Sequence, residues 1–594
     1  MADPISSLLY QTSLVGCLLG AVATIYFFGG LAGYIHSPVL NLAVAISLVA
    51  ALIFFLCHFL AAARETNWVG RILWLSALVI VFVEIILGLV PPAARDELTH
   101  HLAIPRLYAR AGRISEIPMA PYSYYPMLLD MLYTPWIYWG YDFVPKLVHG
   151  LFGWLTGLAL YAYLSRRMNV LYGLLGFFFF LSLPAILRLS HWAYVDLGTT
   201  YYVTAALLCI VRWLEEKKSR SWLILAALSA GFSVATKPNG LLAWVLLFLL
   251  FALFLAKQPE RGWGKISLDL AVFGIAGCLP CLPWLLKNWF QTGNPFFPLL
   301  AGFFSSSSAG EPGAEKTFVG LDIFAKRELL YGESGWQIAA LPLRIFFSGQ
   351  DDNPQYFDGV LSPILILLLP WAFKGKWIGE KKLFISFALL FLLYAIFLAD
   401  LRIRYILPIV PPLIVLLVYG VFNIYLRIKR PAYLFAGLLV FTALHGAYLW
   451  KYFRDVEPTA YLLGRESREV YLQRRLAEYP AFRYINRELP PTAKIYLLFV
   501  GRRAYYCDRD YFHDGGELPA YLLSAIQSAN DPMQIETALE RRGITHLLAR
   551  EDLLQEFLSH NLSPRQQGLW RLVAARHLRL LFEERGYSVY RIRD

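Results

Sequence analysis

Charged residues are scarce in this chain. Asp, Glu, Lys and Arg make up 16% of 594 residues, against 58% apolar ones. Soluble domains carry nearer a quarter charged residues, so an aqueous globular fold is excluded, and a mean hydropathy of +0.50 agrees. Cysteine is sparse too. Of six, Cys17, Cys57, Cys209 and Cys278 lie well within apolar runs, and there is no zinc-binding cysteine cluster. Cys278-Leu279-Pro280-Cys281 has redox-pair spacing but sits inside a membrane segment, where small apolar filler is the expectation. The N-terminal stretch MADPISSLLYQTS lacks a basic region, so the first helix is expected to direct insertion itself rather than be cleaved.

What is abundant is long apolar runs, the mark of a polytopic membrane protein. The net charge of +12 does not imply nucleic acid, because the cations gather in short loops between those runs. Thirteen apolar segments can be counted, the first three near 13–34, 39–62 and 72–90. Basic loops fall at 64–71, 166–167, 217–220, 257–265, 374–382 and 427–430. If the first is cytoplasmic, parity makes all of them cytoplasmic, as expected when Lys and Arg stay inside. The N-terminus is then inside, and the outer pieces are 91–145, 188–196, 236–240, 288–358, 400–404 and everything after Lys451.

The unusual sequence gathers on that outer face. Stretches 97–111 and 127–139 have helical character, and Tyr122, Tyr124, Tyr125, Tyr133, Trp136, Tyr138, Trp139 and Tyr141 supply an expected interfacial aromatic belt. The loop 288–358 includes a flexible-looking serine run from Ser305 to Gly310. From residue 452 charge becomes common, and 494–500, 545–549 and 587–592 read as buried strands with helices between them. The expected division is a membrane module at 1–451 and a small outer α/β domain at 452–594. That domain shows no Gly-rich phosphate loop or nucleophile elbow, so it is read as support or recognition.

Candidate chemistry starts in the loop after the third segment, where Asp96 and Glu97 stand just past the membrane boundary, followed by His100, His101, Arg106, Arg110 and Arg113. Adjacent acids at a helix start cannot point the same way. Asp96 is assigned the chemistry, as a general base or a cation-positioning group; the alternative is a helix cap. Glu97 is placed with the substrate-binding groups, or it structures the first turn. Asp196 is either a second acid converging on the pocket or the cap of the following helix. Lys237, and Arg402 and Arg404 in Asp400-Leu401-Arg402-Ile403-Arg404-Tyr405, are cations on the wrong side. An anionic phosphate would explain them, unless Asp400 neutralises one arginine. Such a pocket suits a phosphorylated, lipid-tethered substrate.

These residues resemble those of the GT-C fold, polyprenyl-phosphate-sugar-dependent membrane glycosyltransferases. That group includes protein O-mannosyltransferases and the aminoarabinose transferases acting on lipid A. The resemblance covers most of the chain and rests on Asp96-Glu97 with LTHHLAIPRLY, KNWFQTGNPFFPL at 287–299 and LRIRYILPIVPPL at 401–413. About thirteen transmembrane helices with an outer C-terminal domain are closer to the aminoarabinose-transferase arrangement. The resemblance implies transfer of a sugar to a glycan, lipid or protein acceptor on the periplasmic side of a bacterial inner membrane. It implies a single displacement with inversion, Asp96 as base, Arg404-Tyr405 and Lys237 near the phosphate, and His101 and Asp196 among the binding groups. No cofactor is certain; some relatives use a divalent metal ion, and the scattered carboxylates and histidines here leave that open. Two competing readings are a lipid-pyrophosphate-dependent glycan polymerase or ligase, led by arginine, and a transporter. The transporter ranks last because no internal repeat is seen and charge gathers at one face.

Overall fold

The computed structural model describes residues 4–216, 219–258, 262–300, 303–304, 323–375, 378–398, 401–516 and 518–592. Lys217-Lys218, Asp400 and the run Ser305–Gly310 therefore lie outside the described residues. The chain is a polytopic helical bundle with a small C-terminal sheet. Among the described residues seven helices are long and apolar enough to cross a membrane, and an eighth forms if the bent pair Trp263–Cys278 and Leu282–Thr292 is one span. The 53° bend falls at the Cys278–Cys281 stretch, and all six cysteines are free. Helices Val170–Ser182, Arg220–Thr236, Gly240–Ala256 and Ile378–Leu398 complete the bundle.

The remaining apolar stretch, near 361–373, is interrupted: it forms two short turns, Ile364–Leu367 and Leu369–Ala372, with Pro370 in the second. It still runs the length of the neighbouring Ile403–Tyr425 helix. Phe357 O accepts from Ile403 N at one end, and Trp371 O accepts from Asn423 Nδ2 at the other.

Polar residues start these helices where a free N–H needs a partner. Asn67 accepts from Gly70 N at 3.0 Å ahead of Trp68–Gly88, and Asn169 accepts from Tyr172 N ahead of Val170–Ser182. Val144–Arg167, Asp196–Glu215 and Ile403–Tyr425 are the inner helices, 94%, 94% and 89% buried over their most apolar windows, whereas Pro431–Val456 is only 6% buried. Close packing at the centre requires a missing side chain: a Cβ on Gly150 would stand 2.6 Å from Ser190 O. The stretch that carries Arg188, Ser190 and His191 therefore lies directly on this helix. His149 pins it further, hydrogen-bonded through Nδ1 to Trp192 O (2.7 Å) and accepting from Leu197 N through Nε2 (2.9 Å).

The loop 91–143 forms the helices Ala103–Ala111 and Leu128–Tyr138, near the expected positions. Tyr122, Tyr138 and Tyr141 are exposed, as the aromatic belt requires, but Tyr124 and Tyr133 are buried. Tyr133 turns inward because its hydroxyl bonds Tyr194 O. The sheet has five strands, β1 (Lys494–Leu498), β2 (Asp510–Phe512), β3 (His546–Arg550), β4 (Leu578–Glu584) and β5 (Tyr587–Ile592), in the order β2-β1-β3-β5-β4. β1 pairs parallel with β2 and β3, and β5 pairs antiparallel with β3 and β4. This part grips the loop 91–143. Arg106 bonds Tyr505 O and Asp508, Tyr506 hydroxyl donates to Pro92 O at 2.7 Å, and Arg468 pairs with buried Asp142.

Candidate active site

The apolar Trp68–Gly88 helix ends at Leu89, and the chain turns through Pro91-Pro92 into a short π-helix, Glu97–His101. Single π turns widen a helix and recur at functional sites. Here the turn begins beside an ion pair: Arg404 Nη1 bonds Asp96 Oδ2 across 308 residues of sequence. Tyr194 holds both partners. Its hydroxyl accepts from Asp96 N at 3.2 Å, and the Arg404 guanidinium lies 5.2 Å over its ring. Burial alone would raise Asp96, but Arg404, with His100 and His101, holds its carboxyl well below the usual range. Asp96 is therefore a carboxylate at any working pH.

A second pair stands behind the first. Lys237 Nζ donates to Asp196 Oδ1 at 2.5 Å, and the ammonium also lies 4.8 Å over the Tyr405 ring. Asp196 is 2% exposed, and among the described residues its Oδ2 has no hydrogen-bond partner. Arg404 Nη2 stands 3.4 Å from the Tyr405 hydroxyl, so the two ion pairs share this tyrosine.

In front of Asp96 opens a cavity of about 580 Å³. Its wall includes Asp96, Arg404, Arg402, Arg188, Tyr448 and Lys451. Arg402 pairs with Asp358 Oδ2 at 3.4 Å, and Arg188 binds Asp351, Asp352 and Asp358 at 2.9, 2.5 and 3.2 Å. Arg188 is also stacked 4.7 Å over Trp192.

The structure thus gathers Asp96, Asp196, Lys237, Arg404 and Tyr405 into one cluster and places Arg402 on the cavity wall. Glu97 stands differently. It is wholly buried, and its oxygens accept from Ala93, Ala94 and Ala193 N–H at 3.0, 2.8 and 2.6 Å. A carboxylate so occupied ties the loop to the 193 stretch, and Glu97 also lies on the cavity wall. His101 is turned to Asp130, Nδ1 to Oδ1 at 2.9 Å. Lys287 and Asn288 of the KNWFQTGNP stretch donate to Ser123 O and Tyr124 O and fix the first loop. Sequence reasoning missed Arg188, Asp130 and Tyr194. For Arg188 a signal existed: it is a single outer cation among apolar neighbours, as Lys237 is. Among the described residues no group of three His, Cys, Asp or Glu is placed to hold a metal ion.

With this geometry established, the fold can be set against known proteins. No protein-family model matches the chain, and no curated protein does. Solved structures do. ArnT from Cupriavidus metallidurans, bound to undecaprenyl phosphate, is 15% identical and overlays with a TM-score of 0.52, covering 88% of this chain and 97% of that one. The same protein in its apo state gives 0.53 at 14% identity over the same shares. An Archaeoglobus fulgidus oligosaccharyltransferase overlays at 0.45 and 12% identity, over 82% of this chain and 70% of that one. The chain has the GT-C fold. This agrees with the expected polytopic architecture, and the GT-C bundle here carries its paired charges and its cavity at the same end.

Proposed function

We propose that the chain is an integral-membrane glycosyltransferase. It moves a sugar from a polyprenyl-phosphate-linked donor to an acceptor on the extracytoplasmic face, with the N-terminus cytoplasmic and residues 452–594 as an outer domain. The observation that carries this reading is the Asp96–Arg404 pair at the head of the cavity, with Lys237 and Tyr405 behind it. Supporting it, ArnT shares the fold and was crystallised with undecaprenyl phosphate. A bacterial inner membrane is the setting that fits.

In this reading Arg404 has two partners in turn. Before the donor binds, it neutralises Asp96. A phosphodiester carries one negative charge and leaves as a monoester with nearly two, so the guanidinium is drawn toward the leaving oxygen during transfer. As that happens Asp96 loses its neutralising partner and gains proton affinity, at the moment the acceptor hydroxyl must give up its proton. The acceptor oxygen bonds to the anomeric carbon, the carbon–phosphate oxygen bond breaks, and its electron pair leaves with the phosphate. No acid is needed to protonate so good a leaving group.

The test is release of polyprenyl phosphate by purified protein in lipid, given a panel of polyprenyl-phosphate sugars and candidate acceptors. Release by wild type is expected, with the active donor naming the sugar. Activity only with lipid-pyrophosphate donors would transfer the assignment to a polymerase or ligase.

A further inference from the structure

Asp96 takes a proton in this scheme while Arg404 is drawn to the phosphate; once Arg404 returns, the surroundings hold Asp96 ionised again, so the proton cannot stay there. Besides Arg404, the charge of Asp96 acts on two histidines that the π turn carries. In an α-helix, residue 101 would stand about 140° around the axis from residue 96. Here Leu102 N bonds Glu97 O, five residues back rather than four, and the wider turn brings His100 and His101 together beside Asp96. Their rings are 4.1 Å apart, and the Asp96 charge acts on both.

The two histidines differ in what holds them. His100 bonds the Thr99 hydroxyl at 2.8 Å and stacks 4.4 Å from the Tyr122 ring; no carboxylate is hydrogen-bonded to it. His101 is bound through Nδ1 to Asp130, 2.9 Å away. Both members of that pair are buried, at 7% and 1% exposed, and the His101 ring lies 5.7 Å from Tyr194, which bonds Asp96 N. An ionised Asp130 takes the Nδ1 proton as its hydrogen bond and leaves Nε2 with a free lone pair. A carboxylate that fixes an imidazole tautomer in this way prepares the other nitrogen to accept a proton.

We propose that His101 and Asp130 carry away the proton that Asp96 takes from the acceptor hydroxyl, which rests on reading this end as a glycosyl-transfer site. The proton moves from the Asp96 carboxyl to His101 Nε2 while the Nδ1 proton passes to Asp130. One O–H bond and one N–H bond break, one N–H and one O–H form, and the net charge of the cluster is unchanged by the shift. His101 acts as the relay, and Asp130 orients it and receives the proton.

The order of proton affinities runs the right way. With Arg404 back in place, Asp96 is held far below the carboxylate range. His101 is lowered to about 4, chiefly by burial, with Asp96 and Asp196 raising it and Lys237 and Arg404 lowering it. Asp130 is pushed up to about 7 by burial, against a smaller opposing effect of His100. Each transfer is downhill. Below about pH 7 Asp130 is already protonated and the relay is blocked, so turnover falls as pH falls.

The experiment is the pH profile of polyprenyl phosphate release by the full chain in lipid. Wild type is expected to lose kcat as pH drops through about 7. Asp130→Asn should lower kcat roughly 100-fold, leave the donor KM near wild type and flatten that acid limb. His101→Ala should lose a similar factor and recover on addition of imidazole, which a purely structural histidine would not do. An Asp130→Asn protein that keeps wild-type kcat, or keeps the acid limb, would overturn the relay; so would a folded His101→Ala that ignores imidazole. If Asp130→Asn fails to fold, the imidazole result decides. A wild type silent with every donor would sink the transfer reading and the relay with it. NMR of 15N-labelled histidine then reads the pair alone: Nδ1-protonated His101 above pH 7, changing tautomer below it, marks a coupled pair without a reaction.

Discussion

The two ends of the bundle carry comparable charge and use it differently. At the basic-loop end Arg166, Arg167 and Arg212 pair with Glu215, Glu216 and Glu380, and the Tyr419 hydroxyl also bonds Glu380. Arg212 is wholly buried there, stacked 5.5 Å over Trp222. These ion pairs tie together the ends of helices Val144–Arg167, Asp196–Glu215 and Ile378–Leu398. At the other end Asp96–Arg404 and Arg188 with its three aspartates line a cavity of about 580 Å³. Charge density at a membrane boundary therefore does not by itself mark a reactive site. What separates the ends is an open space beside the charges.

Substitutions can test that contrast. Asp96→Asn should cost the most, roughly 1,000-fold or more in kcat if it is the base, with folding retained. Arg404→Gln should follow at roughly 100- to 1,000-fold, the range for removing one group that stabilises developing charge. Donor titrations should also show a higher KM for it. At the basic-loop end Glu380→Ala should do the reverse: transfer within a few-fold of wild type, but a stability loss of roughly 1–3 kcal/mol in chemical unfolding, because Arg167 keeps only Glu215 and the buried Tyr419 hydroxyl loses its acceptor. The smallest effect is expected at Arg487, whose pair with Glu469 is largely exposed. Arg487→Ala should change stability by less than about 1 kcal/mol and leave transfer untouched.

The sequence made this contrast only partly visible, for physical reasons. Parity of the basic loops predicts which residues share an end, and the structure does bring 166–167, 215–216 and 380 together. Asp96, Lys237 and Arg404 each stand out as ionisable groups near apolar runs. Their partners do not, because pairing across 41 or 308 residues leaves no local trace. Lys237 looks like a cation awaiting phosphate, yet the structure gives it Asp196. Asp130 is hidden in LLDMLYTPW, which reads as a helix with one polar position, and its meaning appears only once a π turn delivers His101. Tyr133 could not be told from the exposed belt tyrosines, since a tyrosine suits either an interface or a buried hydrogen bond. In the C-terminal part β1, β3 and β5 are apolar and legible. β4, LRLLFEE, is an edge strand with mostly exposed residues, and β2 has three residues, so neither gives a strong pattern.

The central claim is that the Asp96–Arg404 end is where transfer occurs. It is tested most directly by measuring polyprenyl phosphate release side by side for wild type, Asp96→Asn and Glu380→Ala, each shown to be folded. The account predicts release by wild type and Glu380→Ala and almost none by Asp96→Asn. Full release by Asp96→Asn, or its loss in Glu380→Ala alone, would contradict it.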